Sequence, residues 1–299
     1  MEYVTVLYDT KDPGVSYAAS LISLVLGPAF VKEIGDDSGI PGETNLLVLG
    51  LGKDSLPGSP GAACISELSS LLRSGSGDLP VAAFSVTRES GEEDEIAQCV
   101  QGWCNPVKYV RFYADGDLPR RNEVIDFALG LVALARTGRS LPPARLRVEI
   151  DAFLSSENTC TLCTGYDGIV RATPVEYHYH DGALYILSEG GVKFANILRN
   201  PGVGVAVYRP YRSMESLMGV QLTGKARLVT PGLETYAKEV ARRGIDPQKL
   251  DELPFTLHLI EVKLQSAEFL DGRLAKKGFA VRQLYTFGPP TGDTGEDHE

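Results

Sequence analysis

The chain has 299 residues, with 29 Lys and Arg against 39 Asp and Glu for a formal net charge of −10, and 43 % of its residues are hydrophobic. That length suits two domains better than one, and an acidic chain without a basic stripe is a poor partner for nucleic acid. No apolar run approaches the roughly 18 residues that mark a membrane-spanning helix, so no membrane is expected.

Five cysteines at irregular spacing make no disulfide framework, and the start, MEYVTVLYD, carries neither a basic region nor an apolar leader. Reduced thiols and a cytoplasmic location are the expectation. The charge is uneven: residues 1–140 hold 11 Lys and Arg against 19 Asp and Glu, whereas residues 141–290 hold 18 against 16. The mildly basic half suits a phosphate-bearing cofactor.

The first 140 residues alternate apolar runs with amphipathic segments. Strands are predicted at 3–8, 29–34, 45–51, 80–86 and 108–113, bounded by polar or Gly/Pro turns. Helices are predicted at 15–26, 62–73, 93–103 and 123–135, the last capped by Asn122. Repeated strand-helix alternation implies a parallel sheet covered on both faces, a doubly wound α/β domain similar to flavodoxin. Ligands of such sheets sit beyond the carboxyl ends of the strands. Here the first such loop, Asp9 to Ser16, carries Asp9, Asp12 and Pro13, which oppose phosphate binding. The loops 52–61 and 87–95 contain no aromatic residue to stack on a flavin. This half is therefore expected to keep the fold without a flavin of its own.

Thr137 to Ala144, with its Gly and paired Pro, reads as a linker. Domain bounds follow at 1–138 and 146–288, with 139–145 between them. A helix is predicted at 145–156, ending at Leu154, and a second at 232–243. Short strands rich in Val, Ile, Tyr and Thr cluster around the turn pairs Asp167-Gly168 and Asp181-Gly182, and further strands are predicted at 217–229 and 256–269. Residues 289–299, acidic and rich in Gly and Pro, read as a disordered tail. Arg171 stands on a strand, and Lys193 opens a helix behind the glycine-rich turn Ser188 to Gly191. A helix N-terminus beside an ammonium is a ready anion site, so a phosphate could bridge the two cations.

Four ordered motifs carry a family likeness: RATPV (171–175), HDGALYILS (180–188), KFANILRNPGVGV (193–205) and GVQLTGKARLV (219–229). Together they resemble the FMN-binding split barrel of the pyridoxamine 5'-phosphate oxidase-like superfamily, over roughly residues 146–287. The resemblance implies a split β-barrel that forms a homodimer with FMN at the subunit interface. It places Arg171 and Lys193 on the FMN phosphate, with Ser188 and the Gly190-Gly191 backbone donating to it. Ala172, Thr173 and Pro174 then lie along the flavin, and Gln221 lies near the ring. Glu176 and Val192 stand where the oxidase itself has further cations. At the oxidase's substrate end, its Trp, Arg and His are replaced by Leu270, Lys276 and Gly278. Loss of specific donors removes a substrate strongly, so the oxidase's own substrate is not expected. Lys276, Lys277 and Arg282 fall in a late loop that could cap the pocket.

Two further groups have bland readings. Cys160 and Cys163, three apart on a strand, point to opposite faces and cannot share one metal. Cys64, Cys99 and Cys104 read as packing residues. His178 and His180 share a face but lack a third ligand, so no metal is expected. The functional expectation is an FMN-dependent oxidoreductase or flavin reductase, supplied by NAD(P)H or a redox partner protein. The alternative is a non-catalytic electron-transfer or sensor protein that binds flavin, haem or deazaflavin.

Overall fold

The computed structural model describes residues 3–9, 11–34, 40–52, 79–88, 95–104, 106–135 and 138–288. The predicted helix 62–73, Cys64, most of the loops 52–61 and 87–95, and the tail 289–299 lie outside these residues. The chain divides into two compact units at Gly138/Arg139.

In the first unit, β1 (Tyr3–Tyr8), β2 (Ala29–Glu33), β3 (Thr44–Leu51), β4 (Val81–Thr87) and β5 (Lys108–Asp115) form a parallel sheet in the order β2-β1-β3-β4-β5. A two-residue β6 (Leu118–Pro119) adds to β5 antiparallel. Side chains alternate across a strand, so each strand feeds two cores. Val4, Val6, Leu46, Val48, Ala82 and Phe84 pack with α1 (Pro13–Leu26) and α3 (Arg121–Leu129). Leu7, Leu47, Leu49, Val81 and Ala83 pack on the other face with Val100 of α2 (Glu95–Trp103).

The structure departs from two local expectations. The helix predicted at 123–135 is interrupted at Gly130, leaving α3 and a single turn, α4 (Val132–Ala135). Asn122 is not its cap: the helix opens at Arg121, and the N-cap Arg120 makes no side-chain capping bond.

The second unit begins with α5 (Pro143–Ser156), two residues earlier than predicted because Pro at the first helical positions loses no intrahelical bond. Antiparallel strands follow: β7 (Thr159–Tyr166), β8 (Ile169–Glu176), β9 (His178–His180), β10 (Ala183–Ser188), β11 (Gly202–Tyr208), β12 (Met218–Val229), β13 (His258–Asp271) and β14 (Arg282–Thr286). Helix α6 (Val192–Arg199) joins β10 to β11, while α7 (Glu234–Arg242) and an unforeseen α8 (Pro247–Asp251) lie between β12 and β13. Asp167-Gly168 and Asp181-Gly182 both have positive φ at each position, the backbone of tight hairpin turns.

The sheet runs β8-β7-β11-β12-β13-β10-β9. β13 pairs with β12 along nearly its whole length, while its other edge serves β10 from His258 to Lys263 and β14 from Ser266 to Leu270. That fork, with the sheet curling into two halves, fits a split barrel. Its interior is filled by Leu146, Ile150, Phe153 and Leu154 of α5 against Leu162, Val205, Leu222, Ile260 and Phe269. A register shift at Thr223/Gly224 bends β12, and a Cβ on Gly224 would stand 2.6 Å from the Lys263 carbonyl oxygen. Glycine is required at that bulge.

Candidate functional site

Strands β7 and β8 and helix α6 bring the first two cations into one neighbourhood. Directly opposed residues of an antiparallel pair share a face, and Arg171 opposes Thr164. The Thr164 hydroxyl, buried, accepts a hydrogen bond from Asn196 Nδ2 at 3.1 Å, and Asn196 lies one turn beyond Lys193 on α6. The linkage from Arg171 to Lys193 therefore runs through a packed Thr-Asn pair. A second asparagine fixes the helix exit: Asn200 Nδ2 donates to the Gly165 carbonyl at 3.0 Å. Neither Thr164 nor the two asparagines carries a motif signal for this role.

Lys193 is buried, and its ammonium donates to the Gly190 carbonyl and lies 5.4 Å from the Phe194 ring. Arg171 is exposed and, among the described residues, has no partner. Gly190 and Gly191 have φ of 130° and 103°, values L side chains rarely adopt. The space beside them is open, since a Cβ on Gly190 would meet nothing within 4 Å. Gly191 caps α6 without a side chain, so no side-chain hydrogen bond closes the helix N-terminus. Glu189 is held below the usual carboxylate range by its own backbone N–H and then by Lys193.

The remaining predicted residues are distributed on both sides of the sheet. Thr173 opposes Leu162 and shares the inner face with Arg171; its hydroxyl is buried with no hydrogen-bond partner. Ala172 and Pro174 alternate to the other face. Ser188 ends β10, buried, with its hydroxyl 3.4 Å from Glu189. Gln221 is placed apart: it pairs with Ala206 and Glu268, one step out of phase with the Leu162, Val205 and Leu222 row that carries Thr173. Lys276 pairs with Glu215, and Arg282 with Glu268.

In the first unit the start of α1 is capped by the protein's own carboxylate. Asp12 Oδ1 accepts from the backbone N–H groups of Gly14 at 2.8 Å and Val15 at 3.4 Å at the start of α1.

The histidines belong to a different cluster. His178 and His180 oppose Tyr185 and Ala183 and so face α7, while Tyr177 and Tyr179 face the barrel core. His180 lies between Glu239 at 2.6 Å and Asp181 at 3.1 Å and stacks on Tyr185 at 4.2 Å. Burial, then the charge of Arg243, lowers the His178 pKa below its ordinary value. Among the described residues no group of three His, Cys, Asp or Glu is placed to hold a metal. Cys160 is buried and Cys163 half-buried, on alternate faces of β7. No helix among the described residues is long and apolar enough to cross a membrane.

Residues 146–271 match the family described as pyridoxamine 5'-phosphate oxidase, so the second unit carries a domain of that family. Similar solved structures include an FAD-binding protein from Mesorhizobium loti, at 19 % identity over 44 % of this chain and 95 % of that one, with a TM-score of 0.33. Another is the haem storage protein HutZ of Vibrio cholerae, at 18 % identity over 40 % of this chain and 90 % of that one, TM-score 0.34. General Stress Protein 26 of Bacillus anthracis shares 14 % identity over 48 % of this chain and 99 % of that one, TM-score 0.36. Comparison with curated proteins finds no match.

Proposed function

We propose that the second unit binds FMN, with the phosphate between Arg171 and the N-terminus of α6, and serves as a flavin-dependent oxidoreductase or flavin reductase. The observation that carries this reading is the uncapped, glycine-opened start of α6, bearing Lys193 and tied by Asn196 and Thr164 to the strand of unpaired Arg171. An ammonium, a guanidinium and free backbone N–H groups are the donor set a phosphate dianion needs. The family match over 146–271 supports the same assignment.

The local chemistry fits the group. The Thr173 hydroxyl lacks a partner, and Gly190 leaves open space where the phosphate approaches. When bound, the isoalloxazine ring supplies the hydride or electron transfer. The chain's own part is to neutralise the phosphate with Arg171 and Lys193, to offer the backbone from Gly190 onward, and to present the Thr173 hydroxyl along β8. Gln221, on the other face, is outside the site that a single chain builds. Ile169, Val170, Val192 and Leu198 are exposed beside it, an apolar rim that suits a second copy of the chain.

The first unit has the strand order of flavodoxin-like domains, and Asp12 takes the place a phosphate would occupy there. The flavin is accordingly assigned to the second unit.

The test is reconstitution with FMN followed by gel filtration and absorbance, then addition of NAD(P)H without oxygen. Flavin should co-elute with the wild type and be lost from the double variant Arg171→Ala, Lys193→Ala. Full retention in that variant overturns the site. Bleaching by NAD(P)H separates an enzyme from a carrier, and a Soret band would reassign the cofactor to haem.

A further inference from the structure

Helices α7 and α8 and the loop that leads into β13 enclose a cleft of about 750 Å³. We propose that it holds a linear alkyl chain, the uncharged tail of a lipid-like molecule. Its floor is Tyr236 and Val240 of α7, both buried in a small core with Ala183 and Tyr185 of β10 and Leu259 of β13. Leu184 and Ile186, which alternate with Ala183 and Tyr185 along β10, belong instead to the barrel core, as does Ile197 of the helix that carries Lys193. The cleft and the phosphate position proposed above therefore lie on opposite faces of the sheet.

The lining sets the charge of the occupant. Among the described residues no charged side chain lines the cleft. Its polar atoms are committed within the protein: the Tyr236 hydroxyl donates to the Leu257 carbonyl at 2.9 Å, the Ile245 N–H to the Val240 carbonyl at 3.1 Å and the Leu253 N–H to the Leu250 carbonyl at 3.2 Å. Pro231, Pro247 and Pro254 have no N–H to offer. An occupant here gains by leaving water and not by hydrogen bonding, and burying a charge against such a wall would be costly. The exception is Thr256, exposed at the edge, whose hydroxyl has no partner among the described residues and suits a neutral polar head.

The shape selects a chain. Tyr236, Ala237, Val240 and Ala241 follow one face of α7, and the cleft continues to Gly232 before that helix and Ile245 beyond it. At about 1.5 Å per residue, the helix alone runs roughly 13 Å. Ala237 and Ala241, one turn apart and exposed, leave a channel along it, and Phe255 stands beside the channel 49 % exposed, an aromatic ring that an occupant would cover. The frame is fixed in advance: Gly244, at φ 64°, turns the chain between the helices, Asp246 caps α8, and the Tyr236 bond ties α7 to the loop before β13. A preformed cleft loses little freedom on binding, and its volume falls within the roughly 300–1,000 Å³ of small-molecule sites.

Fluorescence of the neutral probe N-phenyl-1-naphthylamine, displaced from the full chain by hexanol, octanol and decanol, tests this. Each step of two methylenes should tighten displacement roughly tenfold. Ala237→Trp and Ala241→Trp fill the channel from exposed positions without touching its floor, and each should weaken probe binding about tenfold or more while circular dichroism shows the fold retained. Binding should persist in the Arg171→Ala, Lys193→Ala variant, so failure of the flavin site and failure of this one are told apart. Absence of probe binding, displacement that ignores chain length, or equal binding by wild type and both tryptophan variants overturns the proposal. Probe binding that disappears as the chain dimerises overturns it too, by giving the cleft to a second copy.

Discussion

Replacing His180 by Ala should destabilise the second unit well beyond what an ordinary surface contact contributes. Glu239 is 2 % exposed and comes from α7, 59 residues away in sequence, and its Oε1 has His180 Nε2 as a partner at 2.6 Å. Its Oε2 has no partner. Arg242 lies 3.9 Å from Oε1, too long for a hydrogen bond. Truncating the histidine therefore leaves a buried carboxylate without its hydrogen-bond partner, offset only by the charges of Arg242 and Arg243. Breaking a buried pair in this way costs about 3–5 kcal/mol, and at roughly 2–4 °C per kcal/mol for a unit of this size the midpoint should fall by roughly 6–20 °C. The exposed contact to Asp181 adds little to that figure. Thermal unfolding followed by circular dichroism measures it, and the double variant His180→Ala, Glu239→Leu should regain most of the loss because the stranded charge is gone. A His180→Ala protein within about 1 kcal/mol of wild type would refute the reasoning, since that is the range of solvent-exposed pairs.

Two more outcomes follow from the packing. Gly272→Ala should destabilise by at least about 1–3 kcal/mol, because the new Cβ would fall 1.7 Å from the backbone oxygen of Met214 and force the loop off β13; guanidinium unfolding should show it. Cys160, whose thiol burial pushes up to about 12, stays protonated at neutral pH. Iodoacetamide at pH 8 should therefore leave it unmodified in the native protein and label it after denaturation, as read by peptide mass spectrometry; rapid native labelling would contradict its placement.

Strands of both units were legible because each core demands its own period. Val4 and Val6 serve one face and Leu7 the other, an alternation written directly in the chain. The break at Gly130 was not legible, because apolar residues continue in helical spacing on both sides of it. Helix α8 has a signal in the sequence: Asp246-Pro247 places a capping carboxylate before a first-turn proline, and Asp246 does accept from the Gln248 N–H. The glycine-opened start of α6 beside Lys193 is legible because its signal is local. The tie from Asn196 to Thr164 crosses 32 residues, and the pairing of His180 with Glu239 crosses 59. Contacts of that separation leave no trace in spacing and emerge only from the fold.

Strand β13 has a consequence for how the second unit comes apart. Because one edge of it serves two different neighbours in turn and the other edge is occupied almost throughout, both halves of the barrel hang on this single strand. Amide protons along its middle should be the last to exchange with deuterated solvent, with a rate set by global opening and not by fraying. An insertion near Leu264, where β10 ends its pairing and β14 has yet to begin, would sever both halves at once.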